Sequence, residues 1–359
     1  ITVTDGINGI IKKMKGWMKV QRRHVDQMMF PGGKNRVIPQ PLGVVGLIIP
    51  WNFPFGMALQ KLAPALAAGC SVIIKPAEEA PLSSAYLADL IAQTDIPDGV
   101  FNLVNGVGRK AGAALSSHKD VDKISFTGST SVGKEIVNAA SGNLKKVTLE
   151  LGGKSPFVIL KDADVDAAIP AAARAIFFLS GQNCMAGSRL LVHESVYDVV
   201  VDGLVKITKS LRIGSDMENS YDIGPLISKR QLTRVLAYID TGVGEGAKLV
   251  CGGKRVPDMA GYFVEPTIFA ECKSHMRICR EEIFGPVVTI MPFDTDEEVL
   301  AYANGTNYGL ACTVWTENIT RANRIAKTVE SGIVWVNTWM LRDLRTPFGG
   351  VKSSGVGRE

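Results

Sequence analysis

The chain has 359 residues, 46% of them hydrophobic and 21% charged, an ordinary globular composition whose length favours two domains over one. Forty Lys and Arg against 35 Asp and Glu leave a formal charge of +5; the basic clusters Lys12–Lys15 and Lys19–His24 read as solvated helix faces rather than nucleic-acid contacts. Apolar stretches such as Leu42–Ile49 and Leu190–Val205 are interrupted or too short to cross a bilayer, so no membrane span is expected.

Residues 22–40 show neither helix nor strand period and read as an arm or hairpin. From there the first half alternates β-branched runs with helical stretches: Val44–Ile49, Ala58–Ala68, Ser71–Lys75, Ser83–Gln93 and Val100–Val104. Gly112–Ser117, Lys123–Phe126, Val132–Ala140 and Lys146–Leu149 continue it. Such a rhythm predicts β-α-β units and a mostly parallel sheet covered by helices on both faces. Leu151-Gly152-Gly153-Lys154-Ser155-Pro156 breaks the pattern, which places a domain boundary near residue 152. A second α/β stretch comes next, with strands at Phe157–Leu160 and Arg189–His193 and helices at Asp164–Leu179 and Ser195–Ser210. It closes with Val287–Pro292, Glu297–Asn304, Cys312–Trp315, Ile319–Val329 and Gly332–Asn337; residues 211–286 receive no element.

The six cysteines, Cys70, Cys184, Cys251, Cys272, Cys279 and Cys312, are too sparse for a disulfide framework and fit a reducing, cytoplasmic compartment. These residues contain no secretory signal pattern. Cys272, His275 and Cys279 have a spacing that suggests zinc, but no second ligand pair lies nearby and no metal is expected.

Gly106, Gly108 and Gly112 follow an apolar run and open a helical stretch, one residue too long for the usual dinucleotide fingerprint. The turn from Phe126 through Gly128 and Ser129 to Val132 also joins a strand to a helix, where free N–H groups can meet a pyrophosphate; either turn alone is more often a tight connection. Lys75 and Glu78 stand just beyond a strand's carboxyl end, where an open α/β sheet binds ligands. Cys184 differs from the other cysteines by lying in the small, polar stretch Ser180-Gly181-Gln182-Asn183, an environment in which a thiolate can act as nucleophile; a buried free cysteine is the plainer reading. Glu150, at a strand end before two glycines, suits a general base, although a lone Glu is usually just exposed.

An ordered series of motifs changes that balance. From about Leu42 to Glu359 the chain resembles the NAD(P)-dependent aldehyde dehydrogenases. The motifs are Pro50-Trp51-Asn52-Phe53-Pro54, Lys75-Pro76-Ala77-Glu78, Phe126-Thr127-Gly128-Ser129-Thr130 and Glu150-Leu151-Gly152-Gly153-Lys154. Gly181-Gln182-Asn183-Cys184, Glu281-Glu282-Ile283-Phe284-Gly285-Pro286 and Pro347-Phe348-Gly349-Gly350 complete the series. The resemblance implies a Rossmann-like parallel-sheet cofactor domain over residues 1–152 and a second α/β catalytic domain over 153–359. Family chains are longer, so the first domain is expected to be N-terminally incomplete, with 22–41 as a candidate arm for a homodimer or tetramer.

Carried over residue by residue, the resemblance makes Cys184 the nucleophile, Glu150 the general base, and Asn52 with the Cys184 N–H the oxyanion hole. A thioester on Cys184 would be hydrolysed by water that Glu150 deprotonates. Lys75 and Glu78 would hold the adenosine ribose, Gly108 and Gly112 the adenine, Gly128, Ser129 and Val132 the pyrophosphate, and Glu282 and Phe284 the nicotinamide riboside, with Ile48, Trp51 and Leu151 as further cofactor contacts. The Glu78 carboxylate should repel a 2′-phosphate, which favours NAD over NADP.

Substrate signals point two ways. The loop Asn337–Phe348 looks like that of 2-hydroxymuconic and 2-aminomuconic semialdehyde dehydrogenases, where Arg342 or Arg345 would clasp a substrate carboxylate; pairing of these arginines with Asp343 is the plainer alternative. Lys12–Gly46 looks more like coniferyl aldehyde dehydrogenases, and Phe53, Phe178, Trp339 and Phe348 would suit an aromatic or long aliphatic aldehyde. The alternative in another class is a truncated, non-catalytic NAD-binding or structural member of the same family.

Overall fold

The computed structural model describes residues 2–216, 220–343 and 346–359. Its contacts divide the chain into two units, one of residues 1–148, 343–347 and 359 and the other of residues 149–342 and 348–358.

The first unit opens with helix α1 (Thr2–Trp17), then the antiparallel hairpin of β1 (Gln21–Arg23) and β2 (Asn35–Val37), which is the arm expected at 22–40. β3 (Val44–Ile48), α2 (Pro54–Ala67), β4 (Ser71–Lys75), α3 (Leu82–Ile91) and β5 (Phe101–Leu103) come next, then α4 (Ala113–Ser117), β6 (Lys123–Thr127), α5 (Thr130–Ala140) and β7 (Lys146–Glu150). The six-stranded sheet runs β7-β6-β3-β4-β5, with β3 parallel to both β4 and β6, and is completed by the strand Gly355–Val356, which belongs to the second unit and lies antiparallel to the Leu149–Glu150 end of β7. The chain therefore moves outward from β3 in one direction through β4 and β5, and in the other through β6 and β7. That reversal makes the carboxyl ends of β3 and β6 a topological switch point, the place where such sheets bind ligands. Val45, Leu47, Val72 and Ile74 are buried in the core beneath α2.

The second unit contains β8 (Pro156–Ile159), α6 (Val165–Phe177), β9 (Arg189–His193), α7 (Tyr197–Ser210), α8 (Lys229–Gly244), β10 (Lys248–Cys251), β11 (Thr267–Ala270), α9 (Arg277–Arg280) and β12 (Val287–Phe293). It ends with α10 (Asp296–Asn304), β13 (Tyr308–Gly309), β14 (Ala311–Trp315), α11 (Ile319–Thr328), β15 (Ile333–Val336), β16 (Val351–Lys352) and β17 (Gly355–Val356). The main sheet runs β10-β11-β12-β9-β8-β14-β15, parallel except for β10 against β11. Both faces are covered, and β8, β9, β11 and β14 are buried along their whole length. Asp164, Ser228, Thr295 and Asn318 cap α6, α8, α10 and α11 by accepting a hydrogen bond from a first-turn N–H.

Among the described residues no helix is long and apolar enough to cross a membrane. Two differences from the sequence expectation bear on the candidate site. The helix expected to reach Leu179 stops at Phe177, because Leu179 and Ser180 take left-handed backbone angles. The unassigned stretch 211–286 contains α8, whose buried Leu232, Val235 and Ile239 recur at helical spacing after the Ser228 cap.

Candidate active site

Three segments of the second unit meet at Gly152-Gly153, between the end of β7 and the start of β8. The Gly153 N–H donates to Glu282 Oε1 at 2.9 Å, and Ser354 Oγ donates to the Gly152 carbonyl at 2.7 Å. A Cβ on Gly152 would collide with the Glu282 carboxylate, and one on Gly153 with the Cys184 carbonyl. At Gly153 only glycine lets the Cys184 backbone come this close, and at Gly152 the missing side chain leaves room for the Glu282 carboxylate. Leu151 donates its N–H to the Ser354 carbonyl at 2.9 Å, fixing the residue after Glu150. Glu150 itself is 3% exposed, and an added Cβ on Gly349 would lie 2.9 Å from its Oε1.

Cys184 is presented by a strained turn. Leu179 (φ 52), Ser180 (φ 56) and Gly181 (φ 70) are left-handed in succession. The two non-glycine residues cost about 1–3 kcal/mol each. Gln182 supports the turn: its Oε1 accepts from Ile227 N at 2.9 Å, and its Nε2 donates to the Leu179 carbonyl at 3.2 Å. Asn183 Oδ1 accepts from Met185 N at 3.1 Å and lies 3.9 Å from the Cys184 sulfur. Cys184, Glu282 and the two glycines all precede strands of the main sheet, β9, β12 and β8. The site therefore sits at the amino edge of that sheet, opposite to the usual placement.

Burial raises the Cys184 thiol to about 12, with the Glu282 and Glu150 carboxylates adding to the rise and Arg342 opposing it. Burial also lifts Glu282 to about 7, against the Gly153 N–H and the charges of Arg234 and Lys154. At neutral pH the resting sulfur is thus a thiol rather than a thiolate. Around it, Phe178 and Trp339 meet edge to face at 6.0 Å, and Trp339 Nε1 donates to the Met185 carbonyl at 3.2 Å. The Arg342 guanidinium lies 4.1 Å over the buried Phe348 ring. Arg345 lies outside the described residues.

The segment Glu282–Phe284 is fastened by α8. Gln231 Nε2 donates to the Phe284 carbonyl at 2.7 Å, and Arg234 Nη2 donates to the Glu282 carbonyl at 2.6 Å. These bonds hold Phe284 at φ 62, a left-handed angle unusual for an aromatic residue. Neither donor stands out in the sequence, since each lies about fifty residues from its acceptor. The same holds for Ser354, and for Arg189, whose buried guanidinium donates to the carbonyls of Lys154, Tyr302 and Ala303.

In the first unit, Ile48 and Lys75 end β3 and β4, and Trp51, Asn52 and Phe53 form the turn into α2, with Phe53 packed against that unit's core. Lys75 Nζ pairs with Glu78 Oε2 at 3.1 Å, and the Gly108 N–H donates to Glu78 Oε1 at 3.4 Å. Burial raises the Glu78 carboxyl, but its own N–H, Lys75 and Gly108 outweigh this and leave it below its ordinary value. Ser129 caps α5, accepting from Val132 N at 3.4 Å, and Gly128 precedes the cap with its α-carbon against the Phe126 ring. Gly112 is buried at the end of the turn that Gly108 opens. An ionised carboxylate, a buried ammonium and a capped helix N-terminus fit the hydroxyls and phosphates of a dinucleotide.

The family model for the aldehyde dehydrogenase family matches residues 3–359. The putative aldehyde dehydrogenase DhaS of Bacillus subtilis (strain 168) is 52% identical over 320 residues, 89% of this chain and 64% of the relative. An aldehyde dehydrogenase of Enchytraeus buchholzi is 50% identical over 321 residues, with 89% and 64% covered. Among solved structures, the NAD+ complex of aldehyde dehydrogenase from Bacillus cereus superposes with a TM-score of 0.94 at 45% identity, covering 100% of this chain and 72% of that one. The chain thus spans about 64% of the length of these curated relatives.

The charges around Cys184 set its reactivity. Glu150→Gln removes a carboxylate that holds the thiol up, so iodoacetamide should alkylate Cys184 roughly 3- to 10-fold faster at pH 8. Arg342→Ala should slow the reaction by a similar factor. Rates unchanged in both variants, read by mass spectrometry of the Cys184 peptide, would contradict this electrostatic account.

Proposed function

Because the chain belongs to the aldehyde dehydrogenase family, we propose that it oxidises an aldehyde to the carboxylic acid through a thioester on Cys184, with NAD as electron acceptor. The observation that carries this reading is the Cys184 thiol at the Gly152-Gly153 crossing, with the Glu150 and Glu282 carboxylates acting on it.

A thiol held near 12 has to give up its proton as it attacks, and the Glu282 carboxylate, which acts on it more strongly than Glu150 does, is available to receive it. The sulfur then adds to the aldehyde carbon. The charge developing on the former carbonyl oxygen is met by the Cys184 main-chain N–H and the Asn52 amide. NAD, when bound, supplies the acceptor for the hydride that leaves this carbon. Glu150 next takes a proton from the water that attacks the thioester, which releases the acid and restores the thiol. Lys75 and Glu78 hold the adenosine ribose, with Gly108 and Gly112 at the adenine. Gly128, Ser129 and Val132 hold the pyrophosphate, Glu282 and Phe284 the nicotinamide riboside, and Ile48, Trp51 and Leu151 make further contacts. The ionised state of Glu78 supports NAD over NADP, whose extra phosphate it would repel.

Phe178, Trp339 and Phe348 suit the body of an aromatic or long aliphatic aldehyde, with Phe53 as a further apolar contact. Arg342 favours a narrower reading, an aldehyde that also carries a carboxylate, as in the semialdehyde class. Its guanidinium is held over Phe348 and its charge reaches the Cys184 sulfur. The exposed Met28, Met29 and Phe30 of the hairpin, at 93%, 72% and 61%, support a homodimer or tetramer built through that arm. Six free cysteines support a reducing, cytoplasmic setting.

With NAD and a suitable aldehyde the protein should form NADH, and Cys184→Ala should lower that rate at least about a thousandfold. Equal rates in the two proteins would remove Cys184 as nucleophile. For the narrower reading, Arg342→Ala should raise KM for an acidic semialdehyde about tenfold or more while leaving a neutral aldehyde of equal length within about twofold. An unchanged preference would discard the carboxylate contact.

A further inference from the structure

Arg189 is 2% exposed, and its guanidinium is met by carbonyl oxygens rather than by a carboxylate. Its Nε donates to the Lys154 carbonyl at 2.8 Å, Nη1 to the Tyr302 carbonyl at 2.8 Å and Nη2 to the Ala303 carbonyl at 3.0 Å. Burial brings the group down to about 10, so it keeps its charge at neutral pH. A buried charge is costly unless it is bonded and compensated. The compensation comes from the carboxyl end of α10, where Tyr302 and Ala303 lie in the last turn. Their carbonyls are among the four that an α-helix leaves without a partner four residues on, and the helix dipole adds about half a negative charge there.

The same helix end takes a second cation. Lys352 Nζ donates to the Asn304 carbonyl at 2.8 Å and to the Thr306 carbonyl at 3.1 Å, and it also pairs with Glu330. Two residues on, Ser354 Oγ donates to the Gly152 carbonyl. α10 is itself fixed at its opposite end, where Thr295 caps it and Arg321 and Arg324 hold Asp296. Both ties therefore run from a fastened helix to the active-site crossing. Lys154 follows Gly153, whose N–H meets Glu282 and whose α-carbon packs on the Cys184 carbonyl. Arg189 lies five residues after Cys184, at the start of β9 and between β8 and β12. One guanidinium thus holds the strand that leaves the nucleophile and the strand that leaves the glycines against the same helix end.

We propose that the carboxyl end of α10 is the anchor of the candidate site, with Arg189 and Lys352 as positioning residues that hold the Cys184 turn and the Ser354 segment against Gly152-Gly153. The bonds of both side chains go to carbonyls and to Glu330, not to the reacting groups. Arg189 acts through the Lys154 main chain and β9, and Lys352 acts through Ser354. What they set is the place of the Cys184 N–H and sulfur relative to Glu282, where a displacement of about 1 Å costs on the order of a hundredfold in rate. Lysine is no substitute at position 189. A single nitrogen cannot reach three carbonyls from separate segments, whereas the guanidinium presents donors on three nitrogens in one rigid plane. The effect on turnover rests on the proposed reaction, whereas the positioning of the thiol does not.

The test compares the full chain with its Arg189→Lys and Lys352→Met variants by alkylation with iodoacetamide, without NAD or aldehyde. Mass spectrometry follows Cys184, with Cys251 as the internal reference, since Cys251 is half-buried on the edge strand β10 with β11 and β12 between it and β9. Loosening the crossing uncovers a thiol that burial holds at about 12. Alkylation of Cys184 should therefore rise at least about fivefold in Arg189→Lys and about twofold in Lys352→Met, with Cys251 unchanged. The parent's Cys184 rate should still climb about tenfold per pH unit at pH 10, whereas that of Arg189→Lys should level off below it. Equal Cys184 rates in the parent and both variants would overturn the anchor. So would one common acceleration of Cys184 and Cys251, which marks general loosening rather than positioning. If Arg189→Lys does not fold, Lys352→Met is read by the same two criteria. With NAD and an aldehyde, kcat of Arg189→Lys should fall about tenfold or more while both KM values stay within about threefold. An unchanged kcat beside faster alkylation would overturn the link to turnover. No NADH from the parent would instead count against the proposed reaction and leave the alkylation result standing.

Discussion

The convergence of the Cys184, Glu282 and Ser354 segments on Gly152-Gly153 is the constraint on which the candidate site depends. Glu150 precedes the two glycines, the Glu282 carboxylate accepts from one of them, and the Cys184 carbonyl packs on the other. Ser354 anchors the crossing by bonding the Gly152 carbonyl and the N–H groups of Gly309 and Leu151. No catalytic chemistry is asked of the glycines. Their role is to lack a side chain where any side chain would push Cys184 and Glu282 apart.

Burial at that crossing sets the electrostatics. It drives the Cys184 thiol up and brings Glu282 to about 7, so the resting sulfur keeps its proton in a poorly solvated place. In the proposed reaction the sulfur becomes anionic only when substrate and base are present, which guards a nucleophile from stray electrophiles.

Much of this was legible in the sequence where the signal is local. β4 and β9 coincide with the stretches read as strands, and α5 and α10 begin within two residues of their expected starts, because β-branched runs and Ser or Thr caps declare themselves. Cys184 stood out by its small, polar neighbours. What stayed hidden depends on long-range contacts. Gln231 and Arg234 act on carbonyls near residue 283, and they sit on α8, where the low overall hydrophobicity of residues 211–286 masked a sound helical period. The stop of α6 at Phe177 was equally invisible, since nothing in Leu179-Ser180 advertises a left-handed backbone; the turn is imposed by its ties to residues 224–227.

The central claim is that the Cys184 sulfur becomes acylated and that Glu150 is needed to clear it. Intact-protein mass spectrometry of Glu150→Gln, quenched in acid after mixing with NAD and an aldehyde, tests this most directly. A near-stoichiometric mass increase equal to the acyl group, mapped to Cys184 and lost on treatment with hydroxylamine, is the predicted result. Turnover at the parent rate with no adduct on Cys184, or an adduct on another residue, would contradict it.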